Sequence, residues 1–197
     1  LKNIAIGTEA LNDLVSGNHN VAIGYQALDE LTNSSENIAI GAYALNACDA
    51  GEGGNVGIGY NAGGEIDNAT ADNNVIIGTS AGIGGAAAMK ECIVIGTNAM
   101  TSTGTNAQTG TIAIGHNSLN AMTTGGGTDS GNIAIGHSAL TQHTTGGKNI
   151  AIGFHAMNQT GEDDSPTSTD NVFIGYDAGG GAWDDGADGT DDSNFNV

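Results

Sequence analysis

Arginine is absent from this chain, and three lysines stand against 22 acidic residues, a formal net charge of −19. Cationic side chains make the phosphate contacts that dominate nucleic-acid affinity, so DNA and RNA are excluded as partners. Anionic membrane surfaces are disfavoured on the same ground. No apolar run is long enough to span a bilayer and no stretch reads as a secretory signal, so membrane insertion is not expected. Two cysteines are too few for a disulfide scaffold. One proline and 4% aromatic residues leave little from which to build an ordinary aromatic-rich core. The 34 glycines have no three-residue period, which excludes collagen. Disorder is the default for an acidic chain rich in Gly, Asn and Thr, and only a regular placement of aliphatic residues argues against it.

That placement is present. Ten glycines, each ending a short apolar stretch, recur at intervals of 17 to 22 residues: Gly7, Gly24, Gly41, Gly59, Gly78, Gly96, Gly115, Gly136, Gly153 and Gly175. The shared unit reads Asn–Ile/Val–x–Ile–Gly–x–x–Ala–Leu. Asn opens eight of the ten units, with Cys92 and Thr111 in the other two. Ten imperfect copies at such spacing signify stacked coils, so the fold class is all-β, a parallel β-roll or β-solenoid of about ten coils. Residues 1–180 form the repeat array. Residues 181–197 form an acidic Gly/Asp-rich loop whose last two residues match the opening of an eleventh unit. Lys2-Asn3-Ile4 also begins inside a unit, so the chain reads as a piece of a longer array or as a subunit whose ends are covered by neighbours.

The two aliphatics of each unit lie two residues apart and share one face of a strand. The expected structural core is the column before each glycine: Ile6, Ile23, Ile40, Ile58, Ile77, Ile95, Ile114, Ile135, Ile152 and Ile174. The small residue between the aliphatics then faces outward, where another backbone can come close. The ten glycines mark turns that need positive φ or have no room for a side chain. Ala or Ser three residues later, followed by Leu, Met or Gly, is expected to start a second short strand. Leu14, Leu31, Cys48, Ile66 and Met122 form a weaker apolar column seven residues past the glycine. Each coil has only three or four sizeable apolar side chains. At roughly 1.5–3 kcal/mol per buried aliphatic, against about 1–2 kcal/mol per ordered backbone residue, a lone rod is marginal, and obligate self-association is expected.

The NVAIG/NIAIG-x-x-A core resembles the repeat of trimeric autotransporter adhesin heads (YadA-like), and NxAIGYxAL and NVFIGYxAG are similar to phrases in phage tail-fibre proteins. The resemblance covers residues 3 to 180. It implies a left-handed roll and three chains around a common axis. The units here are longer than the adhesin type, and Gly63, Gly82 and Gly179 replace Leu in an AG variant.

Directly after the motif glycine stand Tyr25, Tyr60, His116, His137, Phe154 and Tyr176, a column interrupted by Thr8, Ala42, Thr79 and Thr97. Exposed aromatics stack on sugar rings, so Tyr25, Tyr60 and Tyr176 are candidates for contacting a surface glycan; packing at the coil corner is the structural alternative. His116 and His137 share a register in consecutive coils, but two imidazoles make an incomplete shell for a transition metal. In WDDGADGTDD, residues 183 to 192, Asp184, Asp185, Asp188, Asp191 and Asp192 offer hard oxygen ligands suited to Ca²⁺. A solvated acidic loop is the alternative there, and calcium is expected to raise thermal stability if the cluster binds it. Glu162, Asp163 and Asp164 form a second, weaker cluster. Asn33, Asn68 and Asn158 each open an N-x-S/T sequon in a loop between units. Cys48 and Cys92 are three coils apart, roughly 14 Å by strand spacing, and are expected to be free thiols.

No nucleophile elbow, P-loop or zinc-protease motif occurs, and the paired carboxylates lie in loops without aromatic walls. The chain therefore reads as no enzyme and carries no organic cofactor. It reads as a structural and adhesive rod segment of a trimeric surface adhesin or phage tail fibre, outside the cell or on a virion. The alternative is a subunit of an extracellular filament joined by end-to-end stacking of coils.

Overall fold

The computed structural model describes residues 2–85, 88–103, 107–121, 131–142, 146–158 and 169–180. Ten three-residue strands, one per repeat unit, form a single parallel sheet whose order follows the chain: Ile4–Ile6, Val21–Ile23, Ile38–Ile40, Val56–Ile58, Val75–Ile77, Ile93–Ile95, Ile112–Ile114, Ile133–Ile135, Ile150–Ile152 and Val172–Ile174. The register never slips: Ile4, Ala5 and Ile6 lie beside Val21, Ala22 and Ile23, and every later rung repeats the match. The chain is a β-solenoid, as its repeat predicts. Two further parallel pairs, Glu65–Ile66 with Gly84–Gly85 and Met89–Lys90 with Gln108–Thr109, join adjacent coils on the return path.

Asparagine sets the coil closed. Asn37 is fully buried; its Nδ2 donates to the Glu52 carbonyl at the far end of the same coil (2.9 Å), and its Oδ1 accepts the Asn55 amide of the next (3.0 Å). Asn3, Asn20, Asn55, Asn74 and Asn132 repeat both bonds, Asn74 donating to the Met89 carbonyl and accepting from the Cys92 amide. Cys92 keeps the donor, its Sγ lying 3.5 Å from the Gln108 carbonyl, and the Thr111 hydroxyl donates to Gln108 Oε1. A small side chain with one donor and one acceptor thus serves two coils without leaving a buried polar group unpaired.

The ten motif glycines all have φ between +132° and +145°. Room is as scarce as conformational freedom: a Cβ on Gly59 would sit 2.6 Å from the Gly78 carbonyl oxygen of the next coil. Past the glycine the expected second strand is replaced by a turn in which left-handed residues alternate, such as Gln26 (φ 52°) and Leu28 (φ 51°). The alternation points successive amides at opposite neighbours: Gln26 N–H donates to the Thr8 carbonyl of the preceding coil, Leu28 N–H to Ala44 of the following one. A left-handed L-residue costs about 1–2 kcal/mol. Hydrogen bonding and burial of the leucine offset that cost.

The faces of the rung are the reverse of the sequence expectation. Ala22, Ala39, Gly57, Ile76, Val94, Ala113, Ala134 and Ala151, the central residues, are buried. None of the ten isoleucines expected to form the core is buried: Ile6, Ile40 and Ile174 are exposed, and Ile23, Ile58, Ile77, Ile95, Ile114, Ile135 and Ile152 are half-buried on the outer face. The reason is space. The interior behind each rung is already occupied by Leu28, Leu45, Met100, Leu119, Leu140 and Met157, with Leu31, Cys48 and Ile66 beside them. Opposite Leu28, Leu45, Leu119, Leu140 and Met157 the rung contributes only an alanine methyl group, and opposite Met100 it contributes Val94.

Where the central residue is Ile76 or Phe173, glycine stands at the leucine position. Ile76 pairs with Gly82 and Phe173 with Gly179, where a Cβ would meet Phe173 Cδ1 at 2.7 Å. In these two units the AG variant is a volume exchange within one coil; in the third, Gly63 follows the small Gly57 and leaves room for Leu45, Ile66 and Ile76. Ala39→Ile is expected to destabilise the fold by about 1–3 kcal/mol through overpacking, and adding Leu45→Gly should recover part of it. Additive energies in a urea-denaturation double-mutant cycle would refute the exchange. Separately, Asn37→Ala should lower stability by about 1–3 kcal/mol for each group left unpaired, while Asn33→Ala, at an exposed position, leaves the melting temperature nearly unchanged.

Candidate functional site

Two features of the outer surface follow from this coil. The first is the face of the sheet itself. Because the small central residue turns inward, both flanking aliphatics turn outward, giving two parallel columns along the rungs. One runs through Val21, Ile38, Val56, Val75 and Ile93, the other through Ile23, Ile40, Ile58, Ile77 and Ile95, and both continue through the later strands. Even in interior rungs Ile40 and Ile93 remain 37% exposed. Solvated strands ordinarily alternate polar with apolar; this outer face carries only Ile and Val.

The second feature is an aromatic edge just past the glycine corner. His116, His137, Phe154 and Tyr176 stack in successive coils, with centroid separations of 5.0, 5.1 and 5.4 Å and ring planes within 19° of parallel. His155 adds a ring against Phe154 at 4.1 Å. At the other end of the rod Tyr25 and Tyr60 are exposed, and the gap that Ala42 leaves between them is filled by Tyr43, edge-on to both at 5.3 and 5.8 Å. Tyr43 was missed because it lies two residues past the glycine rather than one. The left-handed turn brings that position to the same edge, and only the repeated x-x pair after glycine could have indicated it. The Glu9 carboxylate, one coil away, is the main influence holding the Tyr25 phenol above its ordinary range. Rings at this spacing gain about 0.5–1.5 kcal/mol per pair beyond their buried area.

Of the other candidates, Asn33 is exposed and lines an open polar hollow with Ser35, Gly53 and Asp72. Asn68 is half-buried and accepts hydrogen bonds from the Thr70 hydroxyl and amide. Asn158 is half-buried with its Oδ1 enclosed. Cys48 and Cys92 are free, buried thiols, as expected, and burial pushes both up from the ordinary thiol range. No third ligating side chain comes within reach of an ion shared by His116 and His137 among the described residues. Asp184, Asp185, Asp188, Asp191 and Asp192, the triplet Glu162 to Asp164, and Met122 lie outside the described residues. No helix among the described residues is long and apolar enough to cross a membrane.

The reversal of faces has a direct test. Ala22→Asp places a carboxylate inside the coil and should abolish the cooperative melting transition. Ile23→Asp, on the outer face, should lower the melting temperature far less at equal chain concentration. Equal losses would return the isoleucines to the interior. Comparison of the chain with models of protein families, with curated proteins and with solved structures finds no match in any of the three.

Proposed function

We propose that this chain is a rod segment of an extracellular fibre or surface adhesin, in which several copies associate through the aliphatic face and display their loops and aromatic edges outward. The observation that carries this reading is the pair of Ile/Val columns on the outer face. Monomeric proteins rarely expose contiguous apolar patches beyond a few hundred Å², and these columns extend over ten rungs. An in-register row of β-branched residues suits burial against a copy of itself. Three chains around an axis is the arrangement that the likeness of the NxAIGxxAL unit to trimeric adhesin heads supports. Mechanically the role is that of a spacer: a ladder of closed coils keeps its loops at fixed intervals, and repeated weak contacts gain through multivalency.

The aromatic edges fit this role as a sugar-contacting stripe of exposed rings that recur at coil spacing. They are the surface that a host or environmental glycan would meet.

Light scattering across a concentration series tests the association. A fixed mass near three chains is expected, and Ile23→Asp with Ile40→Asp should reduce it to one. A single chain at every concentration would sink the proposal, whereas mass that grows without limit would favour an end-stacked filament.

A further inference from the structure

Every carboxylate on this molecule must find its counterion outside the chain or on one of three lysines. Among the described residues the one ion pair is Lys90 with Glu91, at 3.9 Å on the surface. Most acidic side chains are solvated and need no partner. Glu52 is different. Its side chain has no solvent exposure, and neither Oε1 nor Oε2 has a hydrogen-bond partner.

The position of Glu52 is fixed by the coil closure, since its backbone carbonyl accepts the Asn37 side chain. The carboxylate is directed toward two others. Asp49 and Asp67 occupy the same register in adjacent coils, each eight residues past its motif glycine and directly after the buried Cys48 and Ile66. An oxygen from each of Asp49, Glu52 and Asp67 lies within 4.8 Å of the other two. Like charges stacked across neighbouring strands repel, and an unpaired ionised carboxylate is costly to bury. No lysine or histidine is among the charged groups that act on Glu52, which are Asp49 and Asp67.

We infer that Asp49, Glu52 and Asp67 form a binding site for a Ca²⁺-class divalent cation that joins the third coil to the fourth. Three oxygens each about 2.3–2.6 Å from one ion and evenly spread around it are at most roughly 4.5 Å apart, so oxygens that already lie within 4.8 Å of one another need only small side-chain rotations to share an ion. The donors are hard oxygens, which suit calcium. The Cys48 sulfur is not among the converging ligand atoms, so the donor set is oxygen alone. Glu52 supplies the enclosed ligand, Asp49 and Asp67 the two exposed ones, and water completes the shell from the solvent side.

Without the ion, burial holds the Glu52 carboxyl above its ordinary range, helped by Asp49 and Asp67. The amides of Glu52 and Asp49 lean toward it and offset part of this without reaching hydrogen-bond geometry.

The test is calorimetric titration of calcium chloride into the chelator-treated chain, with thermal melts at matched pH. The expected result is one site whose affinity falls at least tenfold in Glu52→Gln and in Asp67→Asn, with the calcium-dependent rise in melting temperature lost in both. Asp67 is exposed, so its variant keeps the test valid if Glu52→Gln does not fold. Replacing Asp184, Asp188 and Asp191 by Asn should leave this site intact and separate it from the C-terminal acidic stretch. Unchanged affinity in Asp67→Asn, or no calcium uptake by the wild type at neutral pH, would overturn the inference. The site lies within one chain, so its failure leaves the association reading untouched, and the double aspartate variant that blocks association should still bind.

Discussion

Everything in this fold depends on each coil completing the hydrogen bonds of the next. Three-residue strands are too short to be stable alone, and the turns between them place residues in left-handed conformations that ordinary side chains avoid. Both are tolerable because the neighbouring coil presents the same groups at the same height. The buried asparagines add a side-chain version of the same rule, as Asn37 does in closing its own coil and accepting the amide of the next. A departure from the unit must therefore preserve a donor at that position, as Cys92 and Thr111 do.

Strict stacking leaves a narrow interior, and that narrowness determines the surface. A coil of about 17 residues encloses only one or two sizeable apolar side chains beside its rung, such as Leu28 with Leu31. The rung contributes a methyl group inward and two branched aliphatics outward. The apolar outer face thus results from a small core, and the same residues that make the sheet regular make it adhesive. Where the interior is rebalanced, as at Ile76 with Gly82, the outer columns continue unchanged through Val75 and Ile77.

The return path is where irregularity is allowed, and the chemistry gathers there. Unit lengths vary in the loops, which lets Glu52 enter the interior between two registered aspartates. The rings past the glycine belong to the regular part instead. They run along an edge because the turn, unlike the loop, never changes length.

The sequence by itself determined the repeat, the strand at each NxxIG, the positive φ of the ten glycines and the free state of Cys48 and Cys92, because each follows from local spacing or backbone geometry. It also determined that two faces exist on every rung. Which face is inside was decided only by the tertiary structure: a period of two separates Ile23 from Ala22 but carries no measure of the volume behind them, and Leu28 and Leu31 had already filled it. Tyr43 joining Tyr25 and Tyr60, and Asp49, Glu52 and Asp67 converging, belong to the same class. Their proximity depends on how a left-handed turn and an irregular loop fold back across the coil spacing, and no sequence interval records that.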